Sequence, residues 1–250
     1  MLDSRLSAAA RLHVPNALFV TVSGAHLYGF SSPDSDYDLR GAHIAPLREL
    51  VGLFSPRETI EVAEVRDGLE WDIVSHEIRK FCALICKDSG YALEQLCSPL
   101  IVSTSPAHDE LKTIALNSLN RKFATHYLGF ADNQWRLFLK DSPPRAKPLL
   151  YIYRVLLTGA HLLQTGKLEA NLPALNQEFG SQTITDLIEL KLNGAERQTL
   201  QNADLPFYES EYQRLRERLQ QAEQSSPLPA EVDVKPALHD WLIRLRLGKD

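Results

Sequence analysis

The stretch SGAHLYGFSSPDSDYDLRGAHI, residues 23–44, decides how the rest of the chain is read. It opens on three small residues, Ser23, Gly24 and Ala25, at the end of the apolar, β-branched run ALFVTVSG. That run reads as a buried strand leading into a turn. Asp34, Asp36 and Asp38 then crowd into five positions, and DYDLRGAHI alternates as a second strand. Residues two apart on a strand share a face, so the Asp36 and Asp38 carboxylates would project together at about 6–7 Å of backbone spacing. Two like charges held that close repel. A divalent cation between them turns the repulsion into binding, and hard oxygen ligands suit Mg²⁺, which takes one or two protein carboxylates plus substrate phosphate oxygens.

The small-residue turn fits the same chemistry. Small side chains let backbone N–H groups approach a phosphate closely, and a helix start favours an anion. An anion cradle followed by an acidic pair about a dozen residues on is more than a turn and a solvated loop would need to be. A third carboxylate from a neighbouring strand would complete a two-metal site. LEWDIVSH, residues 69–76, offers Glu70 and Asp72 on one strand face, and the pattern alone leaves the choice open.

Around this centre the first part of the chain alternates strands and helices. TIEVAEV, the turn RDG and LEWDIVSH are expected to form a hairpin, because Asp-Gly between two alternating runs is a strong hairpin signal. PLRELVGL reads as a short helix with Leu47, Leu50 and Val51 on one face, and EIRKFCALICK sets Ile78, Phe81, Cys82 and Ile85 at helical spacing. Beyond about residue 105 strand signals fade. DELKTIALNSLNRKFATHYLGFADNQWRLFL reads as helix with Phe123, Tyr127, Phe130, Gln134 and Phe138 along one side, mostly as core. KDSPPRAKP breaks it, LLYIYRVLLTGAHLLQTG is a central helix stopping at Gly166, and a last amphipathic helix surrounds Trp241. The expectation is an α+β chain with a mixed sheet and helices over residues 1–105 and an all-helical domain over 106–250.

Composition bounds the function. With 44% hydrophobic and 24% charged residues and a net charge of -5, the chain is an ordinary folded protein. Mild acidity argues against coating nucleic acid electrostatically, while a local basic groove could still hold an RNA or DNA end. Cys82, Cys86 and Cys97 lack metal-ligand spacing and read as buried thiols in a reducing compartment. MLDSRLSAAARLHV lacks a secretory apolar core, and no run reaches the roughly 18 apolar residues of a membrane span, so a cytoplasmic location without membrane association is expected. His26, His43 and His76 show no ligand spacing and read as packing or hydrogen-bonding groups.

A strand, a Gly-Ser-type turn, an Asp-x-Asp strand and a distal third acid resemble the nucleotidyltransferase superfamily of DNA polymerase beta. More narrowly, SGAHLYGFSSPDSDYDLRG followed by WDIVSHEIRKF and LEQL resembles the YcgL-type, RNA-ligase-associated nucleotidyltransferases, with the motifs spread over residues 19–97. KPLLYIYRVLLTGAHLLQTGKL is similar to their helical region more loosely. The resemblance implies an N-terminal polymerase-beta-like catalytic domain, with Asp36, Asp38 and Asp72 as catalytic acids and metal ligands. It implies Mg²⁺, with Mn²⁺ as a substitute, and places Ser23 and Gly24 at the triphosphate of a bound NTP. Ala25 stands where the superfamily usually carries serine.

The implied reaction transfers an NMP from an NTP to a hydroxyl acceptor, an RNA end or a side chain of a partner protein, with release of pyrophosphate. Lys147 and Arg154, which share a helix face with Tyr151, are the expected phosphate cations, and Arg40 is expected to pair with the acids. The competing expectation, favoured by Ala25, is a non-catalytic module that binds a nucleotide or a partner on the same fold.

Overall fold

The computed structural model describes residues 2–193, 199–200 and 203–248. They form two compact units: residues 2–27, 36–118 and 232–248 in the first, and residues 28–35 with the described part of 119–231 in the second.

The first unit is built on a mixed five-stranded sheet in the order β3-β4-β2-β1-β5, with β1 Ala17–Val22, β2 Tyr37–His43, β3 Thr59–Arg66, β4 Leu69–Glu77 and β5 Ile101–Ser103. β2 and β4 run parallel, and the other neighbours are antiparallel. β1 is buried from Leu18 onward, as a central strand covered on both faces must be. Its Val20 and Val22 join Leu39, Trp71 and Ile73 in a core closed by Leu6, Ala9 and Ala10 of α1 (Ser4–His13). Phe19 meets the opposite layer. Phe81 of α4 (Ile78–Ile85) sets a ring edge against it, and His108 of α6 (Pro106–Leu116) stacks on it at 4.5 Å. The chain order adds α2 (Gly24–Tyr28, whose last residue falls in the second unit), α3 (Leu47–Leu50) and α5 (Gly90–Cys97).

The predicted hairpin is present. Thr59 to Arg66 pair with His76 to Leu69, and Asp67 and Gly68 both take positive φ, the geometry a two-residue hairpin turn requires. The predicted apolar face of α3 is not buried: Leu47 is 46% exposed and Val51 76%, and α3 is a single turn.

The second unit is helical: α7 Phe123–Lys140, α8 Ala146–Thr165, α9 Leu172–Phe179, α10 Gln182–Leu192 and α11 Leu205–Ser225. α8 is its centre, apolar almost all round and buried at 15 of its 20 positions, which only a helix enclosed by others can be. It ends at Gly166 in the left-handed conformation, the stop that the sequence signals.

Two expectations need correction. The single helical run expected after residue 105 breaks between α6 and α7, where the Asn120 side chain accepts a hydrogen bond from the Lys122 amide at 2.8 Å. The boundary expected at 105/106 falls at 118/119 instead, because α6 packs on β1 and stays with the sheet. The last helix, α12 (Lys235–Leu247), also returns to the sheet unit. Arg244 bonds Glu110 at 2.5 Å and Arg246 bonds Glu77 at 2.6 Å, while Trp241 is buried. No described helix is long and apolar enough to cross a membrane.

Candidate active site

The parallel pairing of β2 with β4 does most of the assembly. It sets Asp38 directly opposite Asp72, with Tyr37 opposite Trp71 one step earlier. Register neighbours on adjacent strands stand about 4.8 Å apart, so the two carboxylates leave the same sheet face side by side. Glu70, the other candidate from the strand pattern, instead pairs with Val65 toward the hairpin end and is exposed. Asp36 lies one residue before β2, outside the ladder.

Arg40, two residues after Asp38 and therefore on its face, sits between the acids. Its Nη2 donates to Asp38 Oδ1 at 2.5 Å and to Asp72 Oδ2 at 3.0 Å, and Nη1 donates to the Asp72 carbonyl at 2.8 Å. Nε donates to the Tyr91 hydroxyl of α5 at 2.9 Å. Burial opposes the charge on Arg40, but Tyr91, Asp38 and Asp72 together outweigh it and push its pKa upward. The guanidinium is therefore a permanent cation that offsets the repulsion of the acid pair, the pairing role expected of it.

The turn after β1 is tied to the same strand. The Ser23 amide donates to the Asp38 carbonyl at 2.8 Å. With that N–H committed to the sheet, the group Ser23 offers a ligand is its hydroxyl, which is buried and has no hydrogen-bond partner. Gly24 takes φ +60, and a Cβ on it would fall 1.8 Å from Asp38 Oδ2. His26 stacks on Tyr37 with ring centroids 4.0 Å apart, and its Nε2 is buried without a partner. His43 bonds Ser75, and His76 bonds Thr59.

Lys147 and Arg154 belong to the helical unit. Lys147 is half-buried in the first turn of α8. Arg154 is only 2% exposed, with its guanidinium carbon 3.9 Å from the centroid of Tyr28 and within about 6 Å of the Phe130 and Tyr151 rings. This cation holds an aromatic cluster. Sequence reasoning missed Tyr91, whose only signal is that the fold brings the start of α5 to Arg40, and it missed the cluster around Arg154 because Tyr28 is so distant in sequence.

The donor chemistry fits a hard divalent cation: Asp38 and Asp72 are register-paired oxygen donors with a buried, unpartnered hydroxyl on the adjoining turn. Among the described residues no three His, Cys, Asp or Glu side chains are gathered into a ready ligand set, so Asp36 is not drawn in with the other two.

The mixed sheet, with a turn after β1 tied to Asp38 and Asp38 register-paired with Asp72, belongs to a chain of the polymerase-beta-like nucleotidyltransferase class. The family described as "RlaP: RNA repair pathway DNA polymerase beta family" matches residues 2–244, and the chain belongs to it. The chain is 33% identical over 181 residues to the uncharacterized protein MJ0002 of Methanocaldococcus jannaschii, covering 70% of this chain and 73% of that one. It is 25% identical over 212 residues to the uncharacterized protein YcgL of Bacillus subtilis, covering 80% of each. A crystal structure of a nucleotidyltransferase-like protein from Exiguobacterium sibiricum matches across 98% of this chain and 81% of that one, at 12% identity and a TM-score of 0.34.

Proposed function

We propose that this protein is an Mg²⁺-dependent nucleotidyltransferase of the cytoplasm that moves an NMP from an NTP to a hydroxyl at an RNA end. The observation that carries the reading is the Asp38–Asp72 register pair beside the Ser23–Gly24 turn. The family's description supports an RNA acceptor.

In this reading the acceptor oxygen attacks the α-phosphorus, the bond from that phosphorus to the bridging oxygen breaks, and pyrophosphate leaves. Bound Mg²⁺ would supply acidity to the acceptor hydroxyl and charge neutralisation at the leaving group, with Mn²⁺ able to replace it. Asp38 and Asp72, the acids brought together by the strand register, would hold an ion, with Asp36 as the proposed third ligand once it turns toward them, and Asp72 would take the acceptor proton. The Ser23 hydroxyl donates to a phosphate oxygen, the role that Ala25 cannot fill. Gly24 keeps the turn close enough for this. Arg154 serves chiefly to order Tyr28.

One observation favours a second reading, a nucleotide-binding or partner-binding module without transfer. Arg40 Nη2 bonds both acids from one side, as a cation would. The deciding experiment incubates wild-type protein and Asp38→Asn with α-labelled NTPs, Mg²⁺ or Mn²⁺ and a mixed RNA pool. Label on RNA in the wild type alone supports the transferase. Label on protein changes the acceptor, and binding without transfer supports the module.

A further inference from the structure

The Arg40 guanidinium uses every N–H it has. Arginine offers five donors, and five acceptors meet them: Tyr91 Oη for Nε, the Leu39 and Asp72 carbonyls for Nη1, and Asp38 Oδ1 and Asp72 Oδ2 for Nη2. The residue is 8% exposed, so water does little to replace a partner that is lost. Four of the five acceptors belong to β2 and β4, the strands that carry the acids themselves. Tyr91 is the exception, a side chain reaching in from α5.

The base of that reach is firm. Ser89 caps α5 by accepting from the Ala92 amide at 3.3 Å, and Ala92, Leu93 and Leu96 are buried. The far end of the helix is bonded to β1, where Thr21 Oγ1 donates to the Gln95 carbonyl and Ser98 Oγ donates to the Val22 carbonyl, both at 2.7 Å. The Tyr91 hydroxyl therefore meets Nε from a helix whose place the sheet sets. At the other edge of the same rigid plane, Nη2 takes one oxygen from each acid. The second oxygen of Asp38, Oδ2, is turned to the Ser23–Gly24 turn, 1.8 Å from where a Cβ on Gly24 would stand.

We propose that Tyr91 is a positioning residue for the acid pair: by anchoring Nε it fixes the plane of the Arg40 guanidinium, which in turn fixes the carboxylates of Asp38 and Asp72. The inference rests on the metal-binding reading above, and every group in it belongs to the sheet unit. With phenylalanine at position 91, a buried N–H loses its acceptor and the guanidinium must turn to find another. Turning the plane moves Nη2, and the two carboxylates lose the contact that orients them. Carboxylates held by hydrogen bonds in their binding orientation are the better metal ligands.

The test is Mn²⁺ affinity of the full chain, read from the electron paramagnetic resonance of free Mn²⁺ without nucleotide, in wild type, Tyr91→Phe and Thr21→Val, each with its thermal unfolding midpoint. Tyr91→Phe removes a hydroxyl and no charge, so a Coulombic effect on the ion does not enter. Thr21→Val removes a buried bond between α5 and β1 but leaves the acceptors of the guanidinium in place, and so reports what loosening the helix does by itself. The expected result is a weakening of about tenfold in Tyr91→Phe, the lower end of the range found when groups that orient metal ligands are removed, with near wild-type binding in Thr21→Val. A folded Tyr91→Phe that binds Mn²⁺ as tightly as wild type, or a Thr21→Val that loses as much, overturns the role of Tyr91 and leaves the transferase reading standing. A wild type that binds no Mn²⁺ overturns both.

Discussion

The carboxylate of Asp38 occupies the space that a side chain on Gly24 would need, with Oδ2 1.8 Å from the position of that missing Cβ. The turn and the acid are therefore one unit of construction, joined also by the bond from the Ser23 amide to the Asp38 carbonyl at 2.8 Å. Glycine is required twice over, by this approach and by φ +60, which L-residues adopt at a cost of about 1–2 kcal/mol.

Gly24→Ala should consequently act on activity more than on stability. The methyl must displace Asp38 from Asp72, and a misplacement of about 1 Å at a reacting centre costs on the order of 100-fold in rate. The expected outcome is a loss of at least that size in NMP transfer, with a midpoint of unfolding only a few degrees lower. Full activity in Gly24→Ala would show that the turn has no part in the chemistry.

Arg40 makes a second prediction, about divalent ions. Replacing it by methionine leaves Asp38 and Asp72 side by side without their cation. Removing one partner of a buried pair costs about 3–5 kcal/mol, and the partial exposure of both carboxylates, 23% and 39%, brings the expected loss to about 2. Added Mg²⁺ should then raise the unfolding midpoint of Arg40→Met more than that of wild type, because the ion fills the same electrostatic need. Equal Mg²⁺ stabilisation of the two proteins would count against a cation site at this pair.

The hairpin supplies the control. Gly68 has φ +73 and open space where a Cβ would go, so Gly68→Ala strains only the backbone. A loss of about 1 kcal/mol in a denaturant titration, with transfer activity unchanged, is expected. A large fall in activity would mean that the β3–β4 turn reaches the reaction.

The contrast between these positions shows what the sequence could reveal. The hairpin and a strand through Asp38 were legible because Asp67–Gly68 and the run DYDLRGAHI are local signals, but the strand opens at Tyr37 and leaves Asp36, expected on its face, outside it. The choice of Asp72 over Glu70 was not legible, since it depends on the parallel register of β2 with β4, a pairing between strands distant in sequence. Tyr91 and the place of residues 28–35 in the helical unit were hidden for the same reason: Tyr91 bonds Arg40 from 51 residues away, and Lys191 bonds Ser32 from 159. The division at 118/119 was not legible because α6 joins the sheet unit by packing on β1, and the return of α12 through the pairs of Arg244 with Glu110 and Arg246 with Glu77 likewise leaves no local trace.

His126 gives a pH dependence of stability with a fixed sign. Burial, reinforced by nearby Arg154, lowers its pKa from 6.5 to about 4, so the folded protein keeps the ring neutral where the unfolded chain would protonate it. The unfolded state then binds more protons between those two values, and stability is full above 6.5 and lost as the pH falls toward 4. At about 1.4 kcal/mol per pH unit, His126 alone should cost the protein about 2 kcal/mol between pH 7 and pH 5. His43, His76 and His108 are lowered by burial as well and add to the trend. Denaturant titrations at the two pH values should show His126→Asn losing less stability on acidification than wild type, by roughly that amount. An identical loss in both proteins would mean that the ring titrates normally in the folded state and that the α7–α8 packing around it admits the charge.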